Sequence, residues 1–272
     1  MTKVKFTNAN QVRNNVKNKK QKIMLINKDL VKYRFSKSLN SYDNTAVVQK
    51  EMATLLIDKI LTNCGKNFNK VFEFGVGTGF LSKNILDKIT FEEYYANDII
   101  EESEFCIKNI IDNAKFLAGD IEKIELNHKF DLVVSNAVMQ WITDVDELLF
   151  KIKNCTTQNG FFAFTTFGEQ NYKEIKETTG VSLNYLKSET LKEKCEKYFD
   201  IISYDENVQT LYFDTPLDVL KHIKQSGTNG IAATHWTVSK LKEFEKFYKE
   251  NFSVANKVIL TYNPVYVILK LK

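Results

Sequence analysis

Proline is nearly absent, with Pro216 and Pro264 the only two in 272 residues. Histidine and cysteine are scarce as well, at three and four. His128, His222 and His235 stand at no metal-ligand spacing from one another, which argues against a metal-dependent enzyme. Cys64, Cys106, Cys155 and Cys195 include no CxxC pair and are spread along the chain, which suits reduced thiols in a cytoplasmic protein better than a disulfide framework. No run approaches the roughly 20 apolar residues that span a bilayer, and no apolar segment follows the N-terminal lysines. An integral membrane protein and a secreted precursor are therefore not expected.

Acidic residues are missing from the N-terminal stretch. Residues 1–28 hold eight basic side chains and no acid, so the remaining chain carries 30 bases against 34 acids although the whole has a formal charge of +4. The basic character belongs to the leader, and the body gives no bulk electrostatic reason to expect nucleic acid. Residues 8–20 are Asn-, Lys- and Gln-rich and weakly apolar, which predicts a disordered arm over residues 1–27, with Met24 as an alternative start. The arm has too little Arg and Ser for a mitochondrial presequence.

What is present is a regular alternation of strand and helix. Residues 28–66 read as helices with a polar break at residues 40–44, and Ala46, Val47, Ala53, Leu56, Ile57 and Ile60 recur near a 3.6 period in the second of them. Strands are predicted at Lys70–Phe74, Glu93–Asn97, Ala114–Leu117, Phe130–Ser135 and Gly160–Thr166, with helices between them. Repeated strand–helix–strand units with so little proline predict an α/β fold on a mostly parallel sheet. Beyond Gly168 come amphipathic helices, a strand near Asn207–Phe213, a helix at Pro216–Gln225 and a final strand pair over Lys257–Leu271. The organisation expected is a helical cap at 28–66, an α/β core at 67–213, a helical insertion at 214–252 and closing core strands at 253–272.

The first strand runs into Glu73-Phe-Gly75-Val-Gly77-Thr-Gly79. Glycines there permit positive φ and let a ligand approach the backbone, and the following helix offers free N–H groups. A dinucleotide fingerprint requires a glycine where Phe80 stands, so that reading fails. The E-x-G-x-G-x-G pattern resembles the first motif of class I S-adenosylmethionine methyltransferases. Asp98, with Ile99 after it, ends the second strand about 20 residues beyond the glycines, where a carboxylate can accept both ribose hydroxyls. Asp120 and Ile121 follow the third strand and are placed to meet an adenine amino group and ring, and Asn136 follows the fourth. These strand ends share one edge of a parallel sheet and converge on one crevice.

Several further segments resemble the malonyl-acyl-carrier-protein O-methyltransferase family of biotin synthesis. They are Ile26-Asn27-Lys28 with Arg34-Phe35, Ser41-Tyr42-Asp43 with Gln49, Leu117 to Glu122, and Ser135-Asn136-Ala-Val-Met-Gln140-Trp141, extended by Ala163 to Gly168 and Leu260 to Asn263. The segment from Lys221 to Trp236 is similar to the family's substrate-side insertion, with extra residues between Gly227 and Ala233. The resemblance implies a Rossmann-like fold with a seven-stranded, mostly parallel sheet whose last strand is antiparallel, N-terminal helices and a helical lid. It also implies methyl transfer from S-adenosylmethionine, released as S-adenosylhomocysteine, to the free carboxylate of malonyl-phosphopantetheine on acyl carrier protein.

A carboxylate with a solution pKa near 4 is ionised at neutral pH and needs no general base, which suits a crevice with no obvious catalytic His or Cys. Tyr42 is expected over the reacting carboxylate as a hydrogen-bond donor, and Arg34 as a partner for a carboxylate. Gln140, Trp141, Thr234 and His235 are expected at the substrate. Lys221 and Lys224, with Lys32 and Lys37, are candidates to steer the acidic carrier. No metal, nucleic acid or membrane partner is expected, and the chain reads as a monomer. Two other readings stay open at this point: a methyltransferase for a small carboxylic acid or quinone, and a non-catalytic S-adenosylmethionine-binding adaptor.

Overall fold

Seven strands form one sheet in the computed structural model, which describes residues 22–23, 26–226 and 236–272. Strands β1 (Asn67–Phe74), β2 (Thr90–Asp98), β3 (Lys115–Ala118), β4 (Phe130–Ser135), β5 (Thr156–Phe167), β6 (Phe199–Glu206) and β9 (Pro264–Leu271) lie in the order β3-β2-β1-β4-β5-β9-β6. The pairs from β3 through β5 are parallel, and β9 runs antiparallel to both β5 and β6. The central strands are continuously buried toward their carboxyl ends, over Val71–Phe74 in β1 and Leu132–Ser135 in β4, as expected of parallel strands covered on both faces. Chain order reverses between β1 and β4, which is where an open α/β sheet leaves a crevice at its carboxyl edge.

Helices α1 (Lys28–Thr45) and α2 (Val47–Asn63) precede the sheet, and α3 (Phe80–Lys88), α4 (Ser103–Lys108) and α5 (Val145–Cys155) cross between its strands. Their ends carry the chemistry that stops and starts helices. The Asn27 side chain accepts from Leu30 N (3.0 Å) and that of Asp144 from Glu147 N (3.0 Å). Helix α2 packs Ala53, Leu56, Ile57 and Ile60 into one apolar core with Ile85 and Ile107, while α5 packs Leu148, Leu149 and Ile152 into the other, beside Phe72, Phe130 and Phe162.

Three features depart from the sequence reading. The break at residues 40–44 is not one: α1 is continuous to Thr45, and the interruption is the single residue Ala46, with ψ 46°. Tyr42 O accepts Ala46 N (2.8 Å), and Phe35, on the same helix face as Tyr42, packs edge-on against Trp141, so tertiary contact overrides the poor helix propensity of the segment. Lys22–Ile23 pairs in parallel with Val181–Ser182, so the expected disordered arm does not extend to residue 27; its remainder and Met24 lie outside the described residues. Finally, the sixth strand position is taken by β6, an edge strand whose exposed and half-buried residues carry little periodic signal. The segments expected as core strands at 207–213 and 257–262 instead become β7 (Gln209–Phe213) and β8 (Lys257–Tyr262), paired antiparallel in a separate small sheet.

Helices α6 (Lys173–Thr179) and α7 (Ser188–Glu196) follow β5. The insertion contributes α8 (Pro216–Gln225) and α9 (Val238–Phe252). Thr215 and Asp218 form a capping box ahead of Pro216, which is why α8 starts there. Val219, Ile223, Phe244 and Tyr248 share a third core with the small sheet and with Val48 and Met52 of α2. The insertion is therefore packed onto the cap as well as the sheet. Among the described residues, no helix is long and apolar enough to cross a membrane.

Candidate active site

The glycine turn after β1 is tied to the end of β2. Gly75 N and Val76 N donate to Asn97 O (2.7 and 3.2 Å), and Gly77 N donates to Asp98 Oδ2 (2.7 Å). All three glycines have positive φ, at 71°, 55° and 83° for Gly75, Gly77 and Gly79. Their reasons differ. A Cβ on Gly75 would overlap Val138 and one on Gly79 would overlap Ile110, whereas one on Gly77 would meet nothing within 4 Å. Two glycines are needed for packing, and the third opens the floor of a cavity.

That cavity holds about 1070 Å³ of atom-free space, its solvent mouth included. Glu73, Gly75, Gly77, Asp98, Ile99, Asp120, Ile121, Asn136 and Trp141 all line it, as does Tyr42. Gly79, also expected at the site, sits just behind as the residue before α3. Asp98 is buried; its other oxygen accepts Ile100 N (2.8 Å). Burial pushes its carboxyl up to about 6, against the pull of the backbone N–H donors. Glu73 is buried too and is raised to about 7, again by burial, although Ser82 Oγ (2.6 Å) and the Tyr94 hydroxyl both donate to it.

At the end bounded by β3, Asp120 is already engaged. Lys28 Nζ reaches it from the start of α1 (3.2 Å) and also meets Glu122 (2.5 Å), whose carboxylate accepts Thr143 N and Asp144 N. Lys28 was not singled out from the sequence as a site residue, yet it lines the cavity with Val31, Phe35 and Tyr42. Steps of three, four and seven residues put these four on one face of α1. That spacing was the available signal, hidden because residues 40–44 read as a break.

The wall beside the glycine turn is built by the loop after β4, whose Val138 abuts Gly75. Asn136 Nδ2 donates to Gln49 O (2.9 Å), while its Oδ1 accepts Thr165 Oγ1 (2.7 Å), so one side chain joins α2 to two sheet strands. Phe35 stands between Tyr42 and Trp141, with centroid distances of 6.2 and 5.7 Å, the latter edge-on. Gln49, Lys50 and Val138 complete this side and were likewise not assigned from sequence.

Other expected residues stand elsewhere. Gln140 closes its own turn by donating to Ala137 O (2.7 Å) and lines a neighbouring cavity with Thr166 and Tyr185 instead. Arg34 does not line the main cavity, and burial lowers its pKa. Lys221 and Lys224 are exposed on α8 and line neither cavity. Lys32 is paired with Glu101 (3.2 Å), and Lys37 is exposed on α1. Thr234 and His235 lie outside the described residues. Among those described, no cluster of His, Cys, Asp or Glu has the arrangement to hold a metal ion.

Residues 66–250 match a family described as a methyltransferase domain. The malonyl-[acyl-carrier protein] O-methyltransferase of Chlorobium luteolum is 39% identical over 253 residues, covering 90% of this chain and 96% of that protein. In structure, the YcgJ protein of Bacillus subtilis superposes with a TM-score of 0.59 at 12% identity, covering 80% of this chain and 97% of that one. The N-methyltransferase NodS of Bradyrhizobium japonicum, in complex with S-adenosylhomocysteine, superposes with a TM-score of 0.50 at 10% identity over 81% and 86% of the two chains. These two share the fold with this chain.

Proposed function

Because the chain belongs to the malonyl-[acyl-carrier protein] O-methyltransferase family, we propose that it methylates the free carboxylate of a malonyl thioester on acyl carrier protein, in the cytoplasm, giving the methyl ester that starts biotin synthesis. The observation that carries the reading is a single cavity with two acids at one end, an open glycine floor, and a tyrosine and tryptophan at the cap side. Those residues fit S-adenosylmethionine: Asp98 for the ribose hydroxyls, Asp120 and Ile121 for the adenine, and the Gly77 backbone beneath. When bound, it supplies an electrophilic methyl group on a sulfonium, which a carboxylate oxygen displaces to leave S-adenosylhomocysteine.

The chain's own contribution is then positional. The acceptor carboxylate is ionised at neutral pH, so no side chain has to remove a proton. Holding its oxygen in line with the methyl carbon is worth up to roughly 7–11 kcal/mol in favourable cases. Tyr42 donates to the acceptor carboxylate, and Phe35 and Trp141 exclude water around it. The buried position of Asp98 leaves it sensitive to which hydroxyls it accepts, and Lys28 fixes the loop carrying Asp120. Lys221 and Lys224 on α8, with Lys37 on α1, offer exposed positive charge to an acidic carrier.

The test is S-adenosylhomocysteine release with malonyl-carrier protein, malonyl-coenzyme A and free malonate side by side. Mass spectrometry of the carrier should show the gain of one methyl. Turnover of free malonate with an inert carrier protein would overturn the assignment in favour of a small-acid enzyme.

A further inference from the structure

Gln49 is the most unusual polar residue in the cavity. It is only 3% exposed, it lines the cavity, and neither its side-chain Nε2 nor its Oε1 has a hydrogen-bond partner among the described residues. A buried amide left unpaired costs stability on both its donor and its acceptor, so a fold keeps one only where something else completes it. The residue is not loosely held. Its main-chain carbonyl accepts Asn136 Nδ2 at 2.9 Å, which fixes the start of α2 against the loop after β4. The indole Nε1 of Trp141, a residue 7% exposed on the wall of the same cavity, is a second buried donor without a partner.

We infer that the Gln49 side-chain amide, together with the Trp141 N–H, binds the carboxylate of the methyl acceptor and thereby sets specificity for a free acid. This rests on the methyl-transfer reading above and names the group that recognises its acceptor. The chemistry favours neutral donors at that place. An arginine or lysine would put a second positive charge beside the donor sulfonium, and its charge-assisted bond would hold the attacking oxygen's electrons more tightly. Two neutral N–H groups, beside the Tyr42 hydroxyl, hold the carboxylate without adding charge and leave lone pairs on the attacking oxygen. The assignment also explains the two unpaired donors, Gln49 Nε2 and Trp141 Nε1, which the acceptor carboxylate completes.

Gln49→Leu keeps the side chain's approximate volume and removes both unpaired atoms. The ligand-free variant is expected to melt at or above the wild-type temperature, while kcat/KM for malonyl-carrier protein falls about 10–100-fold, the loss of a hydrogen bond to a charged group. The dissociation constant for S-adenosylmethionine, measured by calorimetry, should stay within about threefold on the same scale. Gln49→Glu places a like charge against the acceptor, so its kcat/KM at pH 8 should fall below that of the leucine variant and recover as the pH is lowered toward 6. A lowered melting temperature together with unchanged kinetics would make Gln49 a structural residue and overturn the inference. Weakened S-adenosylmethionine binding with an unchanged acceptor KM would overturn it too, assigning the amide to the methionyl end. Wild-type enzyme inert on every malonyl thioester would remove the methyl-transfer reading and this inference with it, whereas an active wild type with an unaffected leucine variant would remove the inference alone.

Discussion

Replacing Gly77 by alanine separates ligand binding from stability in a way the other two glycines of the turn cannot. At φ 55° an alanine pays the left-handed backbone penalty, roughly 1–2 kcal/mol, and nothing more, because its Cβ meets no atom within 4 Å. At Gly75 the same backbone penalty is joined by overlap with Val138, adding about 1–3 kcal/mol of overpacking. Urea unfolding of the ligand-free proteins should therefore rank Gly77→Ala nearer wild type than Gly75→Ala, and pairing Gly75→Ala with Val138→Ala should recover part of the loss. Affinity should behave oppositely for Gly77. Its new methyl projects into the cavity floor, and overpacking of that size weakens S-adenosylmethionine by about 5- to 150-fold in calorimetry. A Gly77→Ala protein that binds within twofold of wild type would refute the placement of the ligand over this turn.

Tyr42→Phe should lower kcat roughly 10–100-fold, the worth of a hydrogen bond to a charged group, with S-adenosylmethionine affinity little changed; unaltered steady-state kinetics would take Tyr42 out of the reaction. Glu73 is raised by burial from 4.5 to about 7, so the folded protein holds its proton more tightly than the unfolded chain. Its stabilising contribution is complete below about pH 4.5 and is lost as pH rises through 7, on the order of 3 kcal/mol. Melting curves should show this decline, and Glu73→Gln should flatten it; an unchanged slope would contradict the assignment. Asp98, raised to about 6, must be ionised to accept ribose hydroxyls, so S-adenosylmethionine affinity should weaken below that pH and Asp98→Asn should remove the dependence. Calorimetry across pH 5–8 decides it, and a flat wild-type profile would exclude the role.

The sheet and the donor side of the site were readable because they rest on local rules. Continuous apolar runs mark parallel central strands, and the glycines with Asp98 and Asp120 fall at strand ends that topology must bring together. The cap side was harder. The helix through Tyr42 is held through Phe35, whose ring packs edge-on against Trp141, a tertiary interaction that no propensity records, and so the face shared by Lys28, Val31, Phe35 and Tyr42 went unseen. Gln140 shows the converse error: it stands one residue from a cavity-lining tryptophan, yet the tight turn it closes points it to the other side. β7 and β8 have clear strand patterns, but pattern alone does not say which sheet a strand joins.

The stretch from Lys28 to Lys50 has a consequence for how the site can be reshaped. The generic methyltransferase match begins at residue 66, after both helices that roof the cavity. From Lys28 to Tyr42 the roof helix runs about 21 Å, at 1.5 Å per residue, the reach of a ligand lying lengthwise beneath it. One contiguous segment thus roofs the cavity from the Asp120 end to Trp141, while the domain that follows supplies its floor. A change on the cavity face of that roof helix would reshape the site while leaving the seven-stranded sheet in place.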